Sequence, residues 1–147
     1  MKSDARGRRT RIMVAVLCAL GLVLLASAYV ATVKFKQQRC AHNLKAIYQA
    51  MSLYSISPST ASHDAFVRWV DDGVLAADQI VCPLNGQEYQ LSVPVQIRSP
   101  DSAILARAPD WEPLVSLPWL SVARGGNILY GDGHVKFQRA AHLPSEP

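Results

Sequence analysis

The apolar positions of this chain fall into two regimes. Residues 12–33, IMVAVLCALGLVLLASAYVATV, are 22 consecutive positions without a charge. As an α-helix this run extends about 33 Å at about 1.5 Å per residue, a match to a hydrocarbon core about 30 Å thick. Backbone groups in lipid must be paired within the segment, so a helix is the state predicted for a single span. Beyond residue 33 the apolar residues become periodic. Cys40, Leu44, Ile47, Met51 and Tyr54 step by four, three, four and three, which puts them on one stripe of a helix. Lys36, Arg39, His42, Lys45 and Gln49 fall largely off that stripe. After Gly21 the next Gly or Pro is Pro58. The pattern therefore predicts one helix from about residue 12 to about residue 55, whose second half carries an apolar face in need of a partner surface.

The remainder reads as short elements. Residues 55–62 are small and polar, a predicted loop. Ser62 and Asp64 are placed to cap a short helix running to Val70, with Phe66, Trp69 and Val70 inward and Gly73 ending it. A further turn is predicted over residues 76–80, before Pro83 blocks continuation. Residues 89–93 alternate and predict a strand that Pro94 confines to an edge or an end. Residues 103–108 predict another. Residues 109–123, with two Trp and three Pro, predict an irregular loop. The clearest local signal is NILYGDGHVKF at 127–137. Asp132-Gly133 favours a two-residue hairpin turn, because both positions of that turn need positive φ. Ile128 and Tyr130 would then share a face with Val135 and Phe137. Two strands alone are marginal in water, so they need a third strand and the helix stripe. The predicted fold class is α+β, a long N-terminal helix packed on a small antiparallel sheet. The organisation is a basic tail at 1–11, a membrane helix at 12–33, its amphipathic continuation at 34–55 and a globular head at 56–147.

Charge refines this picture. The chain carries a formal +4, and the same net +4 sits in residues 1–11, where Lys2, Arg6, Arg8, Arg9 and Arg11 face only Asp4. Residues 12–147 are neutral overall, so no basic face of a nucleic-acid-binding domain is indicated. The basic tail instead reads as a topology signal that keeps the N-terminus cytoplasmic, although Lys34, Lys36, Arg39 and Lys45 beyond the run narrow the margin. The expected topology is single-pass, with the head outside the cytoplasm. The alternative is a secreted binding module released by signal-peptide cleavage after Ala28, since Ala26-Ser27-Ala28 has the A-x-A form. The apolar run continues past Ala28 to Val33, which favours the anchor.

Candidate chemistry is sparse. No G-x-S-x-G, P-loop or H-E-x-x-H occurs, and Gly125-Gly126 is a lone pair. The expectation is no enzyme, no cofactor, no metal and no small-molecule substrate. Asp132 and His134 flank a turn glycine; a metal site there competes with the simpler reading of turn geometry. Of the three cysteines, Cys18 is a small apolar residue of the span. Cys40 and Cys82 are a candidate disulfide if both lie in an oxidising compartment, or else two separate buried thiols. Trp111 and Trp119 are candidate partner contacts, or else a cover for the sheet.

Three stretches in order resemble the type IV pilin-like pseudopilins of type II secretion. Arg39-Cys40-Ala41-His42-Asn43-Leu44-Lys45 is similar to the Cys-x-x-Asn-Leu-Lys stretch that follows the apolar half of their long helix. Val81-Cys82-Pro83 resembles their mid-domain Cys-Pro. Residues 126–135, with Asn127, Asp132, Gly133 and His134, resemble the closing hairpin of the subgroup with a prepilin-processing-associated His-x9-Asp-Gly domain. The position of that subgroup's His is Val122 here, and the prepilin cleavage site is missing: Arg11 precedes Ile12, and no Glu lies in the apolar run. The resemblance implies a pilin-like fold on an uncleaved anchor. It also implies a structural role through protein–protein contact with other envelope or pseudopilin-type proteins, as a subunit that stays single or sits at an end.

Overall fold

The computed structural model describes residues 3–54, 62–91, 104–113 and 124–139. The chain divides into two compact units, Met1–Lys34 and Phe35–Pro147. A helix, α1 (Ser3–Tyr54), supplies the first unit and the opening of the second.

In the first unit the helix is long and apolar enough to cross a membrane. Its large side chains face outward, with Leu24 at 70% and Leu25 at 69% exposure. Such a contiguous apolar surface is unfavourable in water and suited to lipid. Two of the hydroxyl side chains on it are satisfied within the helix: Ser27 Oγ donates to the Val23 carbonyl at 2.8 Å and Thr32 Oγ1 to that of Ala28 at 2.9 Å. That local pairing is what a medium without hydrogen-bonding partners requires.

In the second unit residues 35–54 of α1 bury the periodic stripe. Cys40, Leu44, Ile47 and Met51 are fully buried, joined by Asn43 and Ala50. Tyr54 is half-buried and its hydroxyl donates to Asp72 at 2.9 Å. Lys36, Arg39, His42, Lys45 and Gln49 are exposed, as their position off the stripe requires. Helix α2 (Ser62–Asp71) buries Ala65, Phe66 and Trp69 in the same core. Phe66 and Trp69 meet edge to face, 5.6 Å between ring centres. The helix closes in a Schellman pattern, with Gly73 N–H donating to the Val70 carbonyl and Val74 N–H to that of Trp69. A single 3-10 turn (Ala77–Gln79) leads into a tight reversal at residues 80–89, where Val81 bridges Glu88.

Four antiparallel strands follow in the order β1 (Gln90–Leu91), β2 (Ile104–Arg107), β3 (Gly125–Tyr130) and β4 (Val135–Arg139). The fold is thus α+β, with a long N-terminal helix on a small antiparallel sheet. Two expectations need correction. Residues 109–113 are not wholly irregular, because Trp111 exchanges two backbone hydrogen bonds with Gly125 and extends the β2–β3 pairing. A Cβ at Gly125, whose φ is +156°, would run into the Gln138 carbonyl oxygen, so only glycine fits there.

The second correction concerns the closing hairpin. Its turn spans Tyr130-Gly131-Asp132-Gly133, with Gly133 N–H donating to the Tyr130 carbonyl at 2.9 Å and Tyr130 N–H to that of His134 at 3.0 Å. Three residues, not two, connect the strands, and Gly133 alone takes the bulge position, at φ +86°. The extra residue moves the register by one, so Leu129 pairs with Val135 and Asn127 with Phe137. One step of register inverts every side chain. Leu129 and Val135 therefore reach the core that the helix covers, while Ile128 and Tyr130 take the opposite face.

Leu44 and Leu53 separate burial from mere helix position. Leu44→Ala should cost about 2–5 kcal/mol of head stability, whereas Leu53→Ala, at a site 73% exposed, should stay within about 0.5 kcal/mol. Urea unfolding of the full chain in detergent, followed by near-UV circular dichroism, measures both.

Candidate functional site

The second half of α1 presents two adjoining seams. Along one lie Cys40 and Asn43, against the reversal at 80–89. Along the other lie Gln37 and Tyr48, against the closing hairpin. Helical spacing makes the division: at about 3.6 residues per turn, Gln37 and Tyr48, eleven apart, lie nearly in line, and Cys40 and Asn43 lie on the neighbouring row.

On the first seam the chain brings Cys40 and Cys82 together, 42 positions apart in sequence, with their sulfurs 3.6 Å apart and both side chains at 0% exposure. Both are thiols. The hydrogen bond between them pulls the two apart electrostatically: it raises the Cys40 pKa, burial adding to the effect, and it lowers that of Cys82. The backbone N–H groups of Leu84 and Asn85 also favour the charged form of Cys82, whose pKa falls to about 7. With those donors already directed at Cys82, Cys40 is the partner that keeps its proton. Tyr89, 1% exposed, closes the pocket and donates from its hydroxyl to the Cys40 carbonyl at 3.3 Å; burial raises its pKa further from neutrality. Asn43 sits one turn on. Its Nδ2 donates to the carbonyls of Asp78 at 3.1 Å and Val81 at 3.4 Å, tying α1 to the stretch that leads into the reversal.

On the second seam the four hairpin residues have distinct physical roles. Asn127 is 3% exposed and its Nδ2 donates to the Gln37 carbonyl at 3.1 Å, tying β3 to α1. Asp132 Oδ1 accepts the His134 N–H at 2.9 Å, bracing the turn. That bond, chiefly, holds the Asp132 carboxyl below its ordinary pKa, with the His134 ring helping. His134 stacks on Tyr130 with ring centres 4.3 Å apart and planes 4° from parallel. Gly133 lies against the Tyr48 ring: a Cβ there would be 2.8 Å from Tyr48 Cε1. The Asp-Gly-His run thus closes a turn and brings it down on the helix. Among the described residues, no three His, Cys, Asp or Glu side chains gather as a metal site would require.

Trp111 is half-buried and held by its bridge to Gly125, with Glu112 and Arg124 paired at 2.9 Å beside it. Trp119 lies outside the described residues. A shallow groove of about 340 Å³ runs beside the first seam, lined by Arg39, His42, Asn43, Asp78 and Gln79 among others. Its polar groups are largely used on one another. Arg39 pairs with Asp78 at 3.1 Å, an exposed contact of little energetic weight.

Asn43, Tyr48 and Tyr89 are the functional positions that periodicity alone passes over. Asn43 leaves a signal, an amide one step from Leu44 and three from Cys40, on the side of the helix that the apolar stripe buries. Tyr48 and Tyr89 leave none, because their importance comes from what the fold places against them.

No family model, curated protein or solved structure matches the chain. The likeness to pseudopilins rests on the three stretches of sequence alone.

Two measurements test the second seam. Gly133→Ala should destabilise the head by about 1–3 kcal/mol through its backbone conformation and the ring contact. The loss should shrink when Tyr48 is also Ala; strictly additive losses would show that the ring is not the obstacle. Asp132 has a depressed folded pKa, so its stabilisation is present above the unfolded carboxyl pKa and is lost as pH falls through the folded value, below about pH 4. Asp132→Ala should flatten that acid limb of the stability curve while leaving its shape near pH 7 unchanged.

Proposed function

We propose that this chain is a non-enzymatic, single-pass envelope protein of bacterial pseudopilin type, acting by protein–protein contact within a secretion or fibre-assembly system. The observation that carries this reading is the change of character within α1. Residues 12–25 expose their large apolar side chains, and residues from Cys40 onward bury theirs in a folded head. One helix adapted to two solvents is the design of a membrane-held domain. The basic residues at 1–11 favour a cytoplasmic N-terminus, which puts the head on the far side. The three motif stretches support a pseudopilin-like role, since each lies where the head meets its helix: Cys40 and Asn43 on the first seam, Cys82 opposite them, Asn127 and Gly133 on the second. The lack of a prepilin site and of a Glu in the apolar run supports a subunit that keeps its anchor and does not polymerise through it.

One observation favours a second reading, a soluble module released after Ala28. Every described member of the head's core lies at Cys40 or later, so cleavage at Ala28 would leave that core whole.

Intact mass of the native protein from fractionated cells decides between them. A mass beginning at Met1, in membranes that survive a carbonate wash, is the expected result. A mass beginning at Tyr29 in the soluble fraction would overturn the anchor.

A further inference from the structure

We propose that Cys40 and Cys82 are a disulfide-forming site that fastens the helix to the 80–89 reversal, closed while the head folds. The geometry carries this. The two sulfurs are in contact at 3.6 Å, across a 42-residue separation in sequence. A disulfide needs the sulfurs at about 2.05 Å, so a pair already in contact has only a short distance to close. Cys18, the remaining cysteine, is on the exposed apolar part of α1.

Sulfur reacts as thiolate. One of the two cysteines, as thiolate, attacks one sulfur of a donor disulfide, such as oxidised glutathione or a thiol–disulfide oxidoreductase. A mixed disulfide forms and the donor's other sulfur leaves as a thiolate. The second cysteine, losing its proton, then attacks the sulfur of the first and expels the second donor thiolate. Two protein thiols are oxidised by two electrons, one donor disulfide is reduced, and the two thiol protons pass to the donor's sulfurs.

The timing follows from burial. Both cysteines are at 0% exposure under Tyr89 and the helix, so a donor reaches either sulfur only while that seam is open. Once α1 docks, the closed bridge is shielded from reductant by the same packing. Closure in the cell rests on the proposed location of the head outside the cytoplasm; closure of the purified protein does not.

The test counts thiols in the full chain. Purified in detergent, reduced, unfolded in urea and returned to native buffer with oxidised and reduced glutathione, the protein is quenched with an alkylating agent in denaturant and weighed. The expected product carries one label, on Cys18, and yields a linked peptide containing Cys40 and Cys82. Three labels, or a link involving Cys18, would overturn the proposal. In native buffer, reduction of the bridged form should be at least about 100-fold slower than in urea, because it waits on opening of the seam; equal rates would overturn the folding-coupled closure. Reduction should lower the Tm by roughly 10 °C, and Cys40→Ala/Cys82→Ala should abolish that sensitivity to reductant. A shift that persists in the double variant would assign it elsewhere. Acid-quenched cells give the separate answer on location. One label there supports closure in the cell, whereas three labels on a protein that closes when purified would overturn the extracytoplasmic head and leave the chemistry of the pair standing.

Discussion

Strands of two to six residues make a sheet too small to persist in water by itself. What covers it is the buried face of residues 35–54, and the rest of the head is arranged around that contact. Cys40, Leu44, Ile47 and Met51 form the centre of a core to which α2 adds Phe66 and Trp69, β2 adds Leu105 and Ala106, and β3 adds Leu129. Burial of side chains this size contributes roughly 1.5–3 kcal/mol each against leaving them exposed. Most of it would be lost together if the helix lifted away.

Apolar burial is not directional, so it does not by itself choose the register of a helix against a sheet. The polar contacts at the seams do. Asn43 reaches two loop carbonyls, Asn127 reaches a carbonyl of α1, and Tyr89 reaches another. A buried amide left without its partner costs about 1–3 kcal/mol, so sliding the helix by one residue would forfeit several such bonds at once. Gly133 adds a steric condition of the same kind, since the hairpin closes on Tyr48 only where a side chain is missing.

How far this was readable from sequence depended on the range of the interaction. The stripe from Cys40 to Tyr54 is a local periodicity, and it gave the helix, its inward face and its need for a sheet. The Asp-Gly pair is a local turn signal and gave the existence of the hairpin. It misled on register, because Gly131-Asp132-Gly133 permits both a two-residue and a three-residue connection, and the choice between them is made by which face meets the helix. With the longer loop, Leu129 and Val135 turn inward and Asn127 finds the Gln37 carbonyl. The irregularity expected of residues 109–113 failed for a related reason: the bridge of Trp111 to Gly125 depends on two stretches more than ten residues apart. The meeting of Cys40 with Cys82 lies beyond any local pattern, for spacing in sequence sets no distance between sulfurs.

The position of that sulfur pair along the helix has a mechanical consequence under the proposed function. A head tethered by one helix receives any pull through the point where the helix enters its core. On that path the Gln37 carbonyl meets Asn127 first, and the first buried residues of the core after it are Cys40 and, one turn later, Asn43 and Leu44. Peeling would start there, breaking the weakest contacts one after another instead of the whole seam together. A covalent link at Cys40 moves the load past this edge and into the 80–89 reversal, which is itself held by the Val81–Glu88 bridge and by Tyr89. Without the link, peeling meets the hydrogen bonds, worth about 1 kcal/mol each, and the apolar contacts of the helix face a few at a time; with it, the entry edge of the seam is held covalently. A domain whose work is to hold a partner against a membrane anchor gains most from a staple at this end of its helix, and least from one placed near Tyr54.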